Sequence, residues 1–316
     1  MTRHRERLQT AYFAVSGPRA NECTFLGQRF PQDEDFSPGR GESWVLSSEP
    51  GDDGEAVIRL VQGSSRRLNG IWRAPSGRIY LVDHTGRARR ADAPGAGSTF
   101  SWTEDDLGTS LLGVWGLDDS FVLAWGMRRL HEWTMHRFDG ARWAPMPSPD
   151  MFVHAVHGSR LDDVWAVGWD GKVARWDGSE WRPFPTPVHE ALSSVFSAGP
   201  DEVYAVGVEG SLLEGSDHGW IRVGEGPRPF GLTAVAKWRG ELWLGADAGG
   251  LCRRVGTTSR IEVVKPNVPA RGFDARSDLV IVTRDEIVGT ADGETFVGFG
   301  LESLAELRAG HALMEW

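Results

Sequence analysis

A pattern that returns about every forty residues limits the folds open to this chain more than any other feature. Residues 153–185, 192–223 and 232–245 are recognisable copies of one unit. Repeats of this length are typical of supersecondary units that pack beside one another. Each copy has one buried-type anchor residue, 34–43 residues from the next: Ile71, Val114, Val156, Val195, Val235, Phe273 and Leu307. A second large apolar residue follows eight or nine positions later: Tyr80, Leu123, Trp165, Tyr204, Trp243 and Ile281.

Each unit predicts four short strands. The clearest copy has apolar strands around Val156 and Trp165, a turn at residues 169–171, and a third strand, VARW, at residues 173–176. Asp177-Gly178 then predicts a two-residue hairpin, because glycine accepts a positive φ. A fourth strand starts at Trp181, before a proline-rich link. A four-stranded unit of about 40–45 residues is typical of a β-propeller blade.

The anchors predict an all-β, seven-bladed propeller with four-stranded antiparallel blades, in a single domain spanning residues 1–316. Residues 68–302 supply six contiguous blades. Residues 41–67 and 303–316 are expected to form the closing blade, so that N- and C-terminal segments pair and remove open sheet edges. Residues 1–40 are expected to be an irregular extension. Segments 10–15 and 23–26 are alternative extra strands of the first blade, and six or eight blades remain open alternatives.

Two segments carry a family resemblance. DDVWAVG…GKVARWDGSEW at 162–181 and PDEVYAVG…G at 200–210 resemble the tandem repeats of bacterial propellers near the BNR, kelch and WD40-like classes. The resemblance covers most of residues 68–298 and is strongest at 151–223. It implies a fold rather than an activity. TADGETF at 290–296 is similar to the Asp-box of BNR proteins but is one residue short between Asp and Gly.

Charge and composition exclude several classes of partner. The net charge is −10, which disfavours nucleic acid and anionic membrane. No apolar run approaches the ~20 residues that cross a bilayer. The N-terminus lacks the apolar core of a signal peptide, so we expect a cytoplasmic chain. Cys23 and Cys252 are far apart and predict neither a disulfide framework nor a zinc ribbon. No nucleotide motif is present, and no cofactor is expected.

The residues of known catalytic sites are not apparent. The BNR resemblance makes a sialidase the first enzyme to consider, and sialidases use a tyrosine nucleophile. Tyr80 and Tyr204 occupy a repeated core position, and Tyr12 lies outside the repeat. His154 and His157 are three residues apart on a strand, so they face opposite sides and cannot share a metal without a bulge. We therefore expect no catalytic site and no metal site.

One turn is longer than its counterparts in other blades. Residues 127–135, MRRLHEWTM, connect the second and third strands of a blade, where the next blade has only residues 169–171. Arginine, tryptophan and methionine are enriched in interface cores. The alternative is a loop that folds back on its own blade. The candidate partner-binding residues are Arg128, Arg129, Leu130, Trp133, Met135 and Trp169.

A second candidate site lies along the central channel. The position after each anchor holds rings in four neighbouring blades and charged residues in two others. If these side chains face the channel, they can contact a ligand. If they pack instead under the small residues that precede the anchors, their role is to fill the core. The candidate channel-lining residues are Trp72, Trp115, His157, Phe196 and Arg308.

These observations predict a non-catalytic platform for binding another protein, as an adaptor, an immunity-type inhibitor or a complex subunit. The main alternative is a carbohydrate-binding or glycan-processing propeller that holds a small ligand or glycan in the channel. A glycan binder needs exposed rings beside polar side chains. A purely structural subunit of a larger complex is a third alternative.

Overall fold

The computed structural model describes residues 8–31, 41–51, 56–92, 100–227 and 229–300. These residues form seven four-stranded antiparallel sheets, and in every sheet the strands are ordered as in the sequence. The prediction of an all-β, seven-bladed propeller is confirmed. No helix in the described ranges is long and apolar enough to cross a membrane.

Each blade is a meander that runs outward from the channel. Blade 1 contains β1 (Leu8–Arg19), β2 (Glu22–Pro31), β3 (Glu42–Pro50) and β4 (Ala56–Ser64). Blade 2 contains β5 (Leu68–Arg73), β6 (Ile79–Asp83), β7 (Arg87–Ala91) and β8 (Trp102–Asp106). Blade 3 contains β9 (Ser110–Asp118), β10 (Phe121–Arg129), β11 (Glu132–Phe138) and β12 (Trp143–Met146). Blade 4 contains β13 (Val153–Arg160), β14 (Asp163–Gly168), β15 (Val173–Trp176) and β16 (Trp181–Phe184).

The remaining three blades follow the same plan. Blade 5 contains β17 (Leu192–Gly199), β18 (Glu202–Gly207), β19 (Ser211–Ser216) and β20 (Gly219–Glu225). Blade 6 contains β21 (Ala234–Trp238), β22 (Glu241–Gly245), β23 (Leu251–Arg254) and β24 (Ile261–Lys265). Blade 7 contains β25 (Gly272–Ala275), β26 (Leu279–Val282), β27 (Glu286–Thr290) and β28 (Val297–Gly300). Single 3-10 turns occur at Trp169–Gly171 and Asp247–Gly249.

The first blade differs from the sequence expectation. Residues 1–40 were expected to be irregular, but β1 and β2 are long strands that pair with each other and, through β2, with β3. The alternative strands at 10–15 and 23–26 lie within them. Blade 1 is complete without residues 303–316, which lie outside the described residues together with the anchor Leu307. The repeat did not reveal β1 and β2 because neither carries the spacing of the anchors.

The ring closes by packing of the first blade against the last. The inner strand β1 contacts both β5 and β25. Backbone N–H groups of Tyr12 and Asp278 donate to the carbonyls of Arg284 and Pro18 across this junction, at 2.8 and 2.9 Å. Contact between inner strands therefore continues around all seven blades, and the ring is closed.

The hydrophobic core consists of layers between blades. Seven clusters of buried side chains each join two neighbouring blades, including the pair formed by blades 7 and 1. Trp165 and Trp243, at the repeated second-strand position, are fully buried. Their recurrence in the sequence therefore reports packing between blades, where each large ring removes ~150–250 Å² from water.

Glycines in the second strands of blades 3 and 4 permit close approach of the chain that enters the same blade. A Cβ on Gly168 would lie 1.8 Å from the carbonyl oxygen of Phe152, and one on Gly126 would lie 1.9 Å from that of Ser110. Any larger residue would push the incoming link away. These glycines thus hold the links and the second-to-third-strand turns together on one face of the ring, which is called the link face below.

Candidate functional site

The longer turn of blade 3 is a projecting β-hairpin. Strands β10 and β11 continue to the pair Arg129 and Glu132, so only Leu130 and His131 form the turn. His131 has φ 63, the left-handed conformation that such a tight turn requires. The expectation of a loop is corrected here, because the additional residues lengthen two paired strands instead of forming irregular structure.

An aromatic cluster connects this hairpin to blade 4. The Trp133 ring meets the Phe152 ring edge-on, with centroids 5.4 Å apart. Phe152 in turn stacks on Trp169, with centroids 4.4 Å apart and planes inclined by 10°. His154 packs edge-on against both Phe152 and Trp169. Trp133 and Trp169, two candidates from separate turns, thus belong to one cluster.

Phe152 is the member of the cluster that sequence analysis missed. It lies in the link immediately before β13 and outside the repeated positions. Its carbonyl accepts the N–H of Trp169 at 3.4 Å, which fixes the link beside the turn. The sequence showed only a large ring in the link before β13, and the fold was needed to show that this ring lies between Trp133 and Trp169.

Two of the candidate residues have roles inside the blade. Met135 is 1% exposed and belongs to the core between blades 3 and 4, so it is corrected from a surface contact to a packing residue. Packing against blade 4 explains this, because Met135 shares an apolar cluster with Met151 and Val153. Arg128 donates to Glu132 across the hairpin at 2.8 Å, so its charge is already paired. Arg129 is exposed.

The link face carries exposed apolar side chains from several neighbouring blades. Second-to-third-strand turns and the links between blades share this face, because strands in each blade alternate in direction. The exposed residues here come from the turns of blades 3, 4 and 5 and from the link between blades 5 and 6. They are Leu130 at 75%, Trp169 at 47%, Val208 at 52% and Phe230 at 37% exposure. Large apolar groups clustered on one face are typical of a protein-binding surface.

A cavity of about 790 Å³ follows the axis of the ring. Trp115, His157 and Phe196 come from successive inner strands and line one side of it, each half-buried. The His157 ring lies 5.5 Å from Trp115 and stacks on Phe196 at 4.5 Å. Trp72 also borders the cavity, but it is 6% exposed and packs over Gly116 of the next blade. Whether these rings bind a ligand remains a prediction.

His157 is held as a neutral ring. Its Nδ1 accepts the backbone N–H of Ser197 in blade 5 at 3.0 Å, so the neutral ring carries its proton on Nε2. Burial lowers the pKa of His157 to about 4, and the nearby Asp163 carboxylate opposes this shift. At neutral pH the aromatic side of the channel therefore carries no charge.

The charged side of the channel lies where blades 7, 1 and 2 meet. Asp274 accepts from Ser16 Oγ and from the Gly17 N–H, both at 2.9 Å. Arg276 donates to the same carboxylate and to the carbonyl of Arg73. Arg308, the remaining candidate for the channel, lies outside the described residues. Arg276 is the cation that pairs with Asp274.

One group of side chains has the composition of a metal site. Among the described residues, Asp201, Asp217 and His218 bring three ligand atoms within 4.8 Å of one another on two turns of blade 5. All three are exposed, and Asp217 lies 3.9 Å from Arg175. Exposed acidic groups often gather in this way without an ion, so the expectation of no metal site is left as a prediction.

Comparison with known proteins gives one distant sequence relative. No family model matches the chain. The immune protein Tsi7 of Pseudomonas aeruginosa is 30% identical over 135 residues, which cover 40% of this chain and 43% of Tsi7. The chain thus matches less than half of the length of this curated relative, and the likeness does not establish a family.

Solved structures share the fold over most of its length. The WD40 propeller domain of Doa1 has a TM-score of 0.66 at 9% identity, covering 94% of this chain and 95% of that chain. Chaetomium thermophilum Sqt1, bound to the N-terminus of a ribosomal protein, has a TM-score of 0.61 at 12% identity, covering 92% and 88%. The WD40-like part of the expected resemblance is supported, while the BNR and kelch classes remain predictions.

A further similar structure is an enzyme. Virginiamycin B lyase from Staphylococcus aureus has a TM-score of 0.60 at 16% identity, covering 74% of this chain and 84% of that chain. The expectation that this chain is not an enzyme, drawn from the lack of a recognisable set of catalytic residues, is therefore wrong, since a solved structure with the same fold is a lyase. At this identity the likeness shows the fold alone.

Proposed function

We propose that this chain binds another protein through the link face of the propeller, with the Trp133–Phe152–Trp169 cluster at the centre of the contact. The observation that carries the proposal is the arc of exposed apolar side chains contributed by blades 3 to 6. Trp169 presents nearly half of its surface to water while its other face is fixed by stacking on Phe152. A rigid, half-exposed ring is the usual centre of an interface hot spot.

The comparisons support a protein partner without identifying one. Tsi7 is an immune protein, and Sqt1 was solved with a segment of another protein bound. An immunity-type or adaptor role for this chain belongs to the proposal. So does a cytoplasmic location, with which the buried free thiols of Cys23 and Cys252 are compatible.

The test compares two surface variants in partner binding. The tagged chain is used to capture proteins from its native host, and the captured protein is identified by mass spectrometry and purified. Trp169→Ala should weaken the binding of that protein at least about thirtyfold, because hot-spot truncations cost ~2 kcal/mol or more. Affinity is measured by calorimetry with the complete chain.

The matched control is Ile221→Ala on the outer strand β20. Ile221 is exposed by 64%, more than Trp169, but lies away from the link face. Its truncation should leave affinity unchanged. If Ile221→Ala weakens binding and Trp169→Ala does not, the partner uses the outer rim and the proposed face is wrong.

The channel supports a second candidate function, the binding of a neutral sugar. The observation that favours it is the neutral aromatic wall of Trp115, His157 and Phe196, next to a polar wall whose charges are paired internally. Flat rings beside polar groups are typical of small-molecule sites. Saturation-transfer NMR with a set of neutral oligosaccharides tests this candidate, and transfer lost in Phe196→Ala but retained in Trp169→Ala would support it.

A further inference from the structure

The hairpin of blade 3 has an open strand edge. Strand β12 pairs with β11 only from Met135 to Phe138, and its last partner is Met146. The chain then continues through Pro147 and Pro149, which have no N–H to extend the pairing. Residues 132–134 of β11 therefore pair with β10 alone, and no backbone hydrogen bond from the link covers their outer side.

The main-chain groups of Trp133 face this open edge. In an antiparallel strand, successive residues direct N–H and C=O alternately to the two sides. Pro145 is opposite His136, and proline in an edge strand has its nitrogen turned away from the partner strand. Met135 and Arg137 are therefore the residues bonded to β12. Trp133, two positions before Met135, directs its N–H and C=O to the same side, where none of the described strands pairs with it.

Blade 4 shows that the open edge belongs to the lengthened hairpin. There β15 begins at Val173, which is already paired with Phe184 of β16, so no residue of β15 extends beyond its outer neighbour. In blade 3 the additional residues extend β11 past β12. The exposed side chains of Leu130 and Trp169 flank the segment, with the ring of Trp133 between the hairpin and blade 4.

We propose that this edge binds an extended segment of the partner as an additional β-strand. The segment's main chain exchanges hydrogen bonds with the N–H and C=O of Trp133, and its alternate apolar side chains pack on the aromatic cluster. Strand addition of this kind derives affinity from backbone bonds and specificity from alternating side chains. The proposal rests on the proposed function, since it assigns the chemistry of the partner at the same face.

The experiment uses a phage-displayed library of linear random peptides panned against the complete chain. Enriched peptides should carry apolar residues at alternate positions. Trp133→Ala keeps the N–H and loses the ring, whereas Trp133→Pro loses both. Proline should therefore weaken the best peptide at least tenfold more than alanine does. Circular dichroism checks that both variants fold.

Amide hydrogen exchange of the wild-type chain supplies a second measurement that does not depend on variants. The Trp133 amide should exchange at least tenfold more slowly in the peptide complex. The amide of Thr134, which faces β10, is the matched control and should change little. Failure to enrich any peptide, or an unprotected Trp133 amide in the complex, overturns strand addition. A third outcome separates the two proposals: Trp169→Ala abolishes peptide binding, but the Trp133 amide stays unprotected. In that case the peptide binds the link face, and only its addition as a β-strand is rejected.

Discussion

Asp163 joins two blades through one fully buried carboxylate. It accepts hydrogen bonds from Ser159 Oγ at 2.5 Å, Trp165 Nε1 at 3.0 Å and Arg175 Nε at 3.0 Å in blade 4. Ser197 Oγ of blade 5 donates a fourth at 3.1 Å. Asp163→Ala should lower the free energy of unfolding by about 3–5 kcal/mol, because it leaves buried donors unpaired and removes the nearest carboxylate from the Arg175 charge. Urea denaturation measures the loss.

The neighbouring Asp162 provides the control for this prediction. Its carboxylate pairs with Arg160 at 3.1 Å, and both side chains are 57% exposed. A surface pair of this kind contributes little, so Asp162→Ala should change stability by less than about 1 kcal/mol. Equal effects of the two substitutions would mean that the Asp163 network does not hold the blades together.

His157 should make stability depend on pH. Its folded pKa of about 4 lies below the ordinary histidine value of about 6.5, so the unfolded chain binds more protons between these values. The contribution of His157 is fully present above about pH 6.5 and is lost as the pH falls toward 4. His157→Gln keeps an acceptor for the Ser197 N–H and should flatten this slope in urea titrations. An unchanged slope in the His157 variant would show that other groups set the pH dependence.

At the level of the element, the blade 3 hairpin separates partner binding from stability. Replacing Met127 through Trp133 with Asp-Gly joins Gly126 to Thr134, whose main-chain groups face each other across the hairpin, by a favourable two-residue turn. The removed residues lie outside the core clusters. The free energy of unfolding should therefore stay within about 1 kcal/mol, while affinity for the captured partner falls at least tenfold. Calorimetry and urea denaturation on the same preparation measure both quantities.

Met135→Ala gives the opposite outcome in the same element. Met135 is buried between blades 3 and 4, and truncation of such a residue typically costs about 2–5 kcal/mol. The folded fraction should still bind the partner. A trimmed hairpin that unfolds as readily as the Met135 variant would show that the projecting residues stabilise the blade.

The local pattern of apolar and turn residues in the sequence predicted most of the strands but few of the contacts at the candidate site. Asp177-Gly178 and the spacing of the anchors predicted strands correctly. A hairpin turn and the alternation of buried residues depend on neighbours within a few positions in the sequence. β1 and β2 were not predicted, because their pairing is stabilised by packing against blade 7 and no local spacing in the sequence indicates that packing. The Trp133–Phe152–Trp169 cluster joins two blades, and only the ring brings its members together. Met135 was misplaced because its burial depends on packing against blade 4, which local spacing does not show.

For the whole molecule, the junction between blades 7 and 1 is where the ring depends on side chains from the two ends of the described chain. Covalent links connect blades 1 through 7 in order, whereas within the described residues blades 7 and 1 meet through packing and hydrogen bonds. The cluster around Tyr12 and Phe25 supplies the apolar part. Asp274, with Ser16, Gly17 and Arg276, supplies the polar part.

Asp274→Ala should therefore weaken the ring as a whole. It leaves Ser16 Oγ, the Gly17 N–H and the guanidinium of Arg276 without their shared acceptor, at a position where the carboxylate is only 13% exposed. A loss of about 2–4 kcal/mol is expected from unpaired, largely buried polar groups. Amide exchange should accelerate first in β1 and β25, since their contact closes the ring. Asp247→Ala, which removes a more exposed pair with Arg271, is the control and should leave exchange in these strands unchanged. Uniform acceleration across all seven blades would contradict a junction that opens first, and would indicate that the ring unfolds as a single unit.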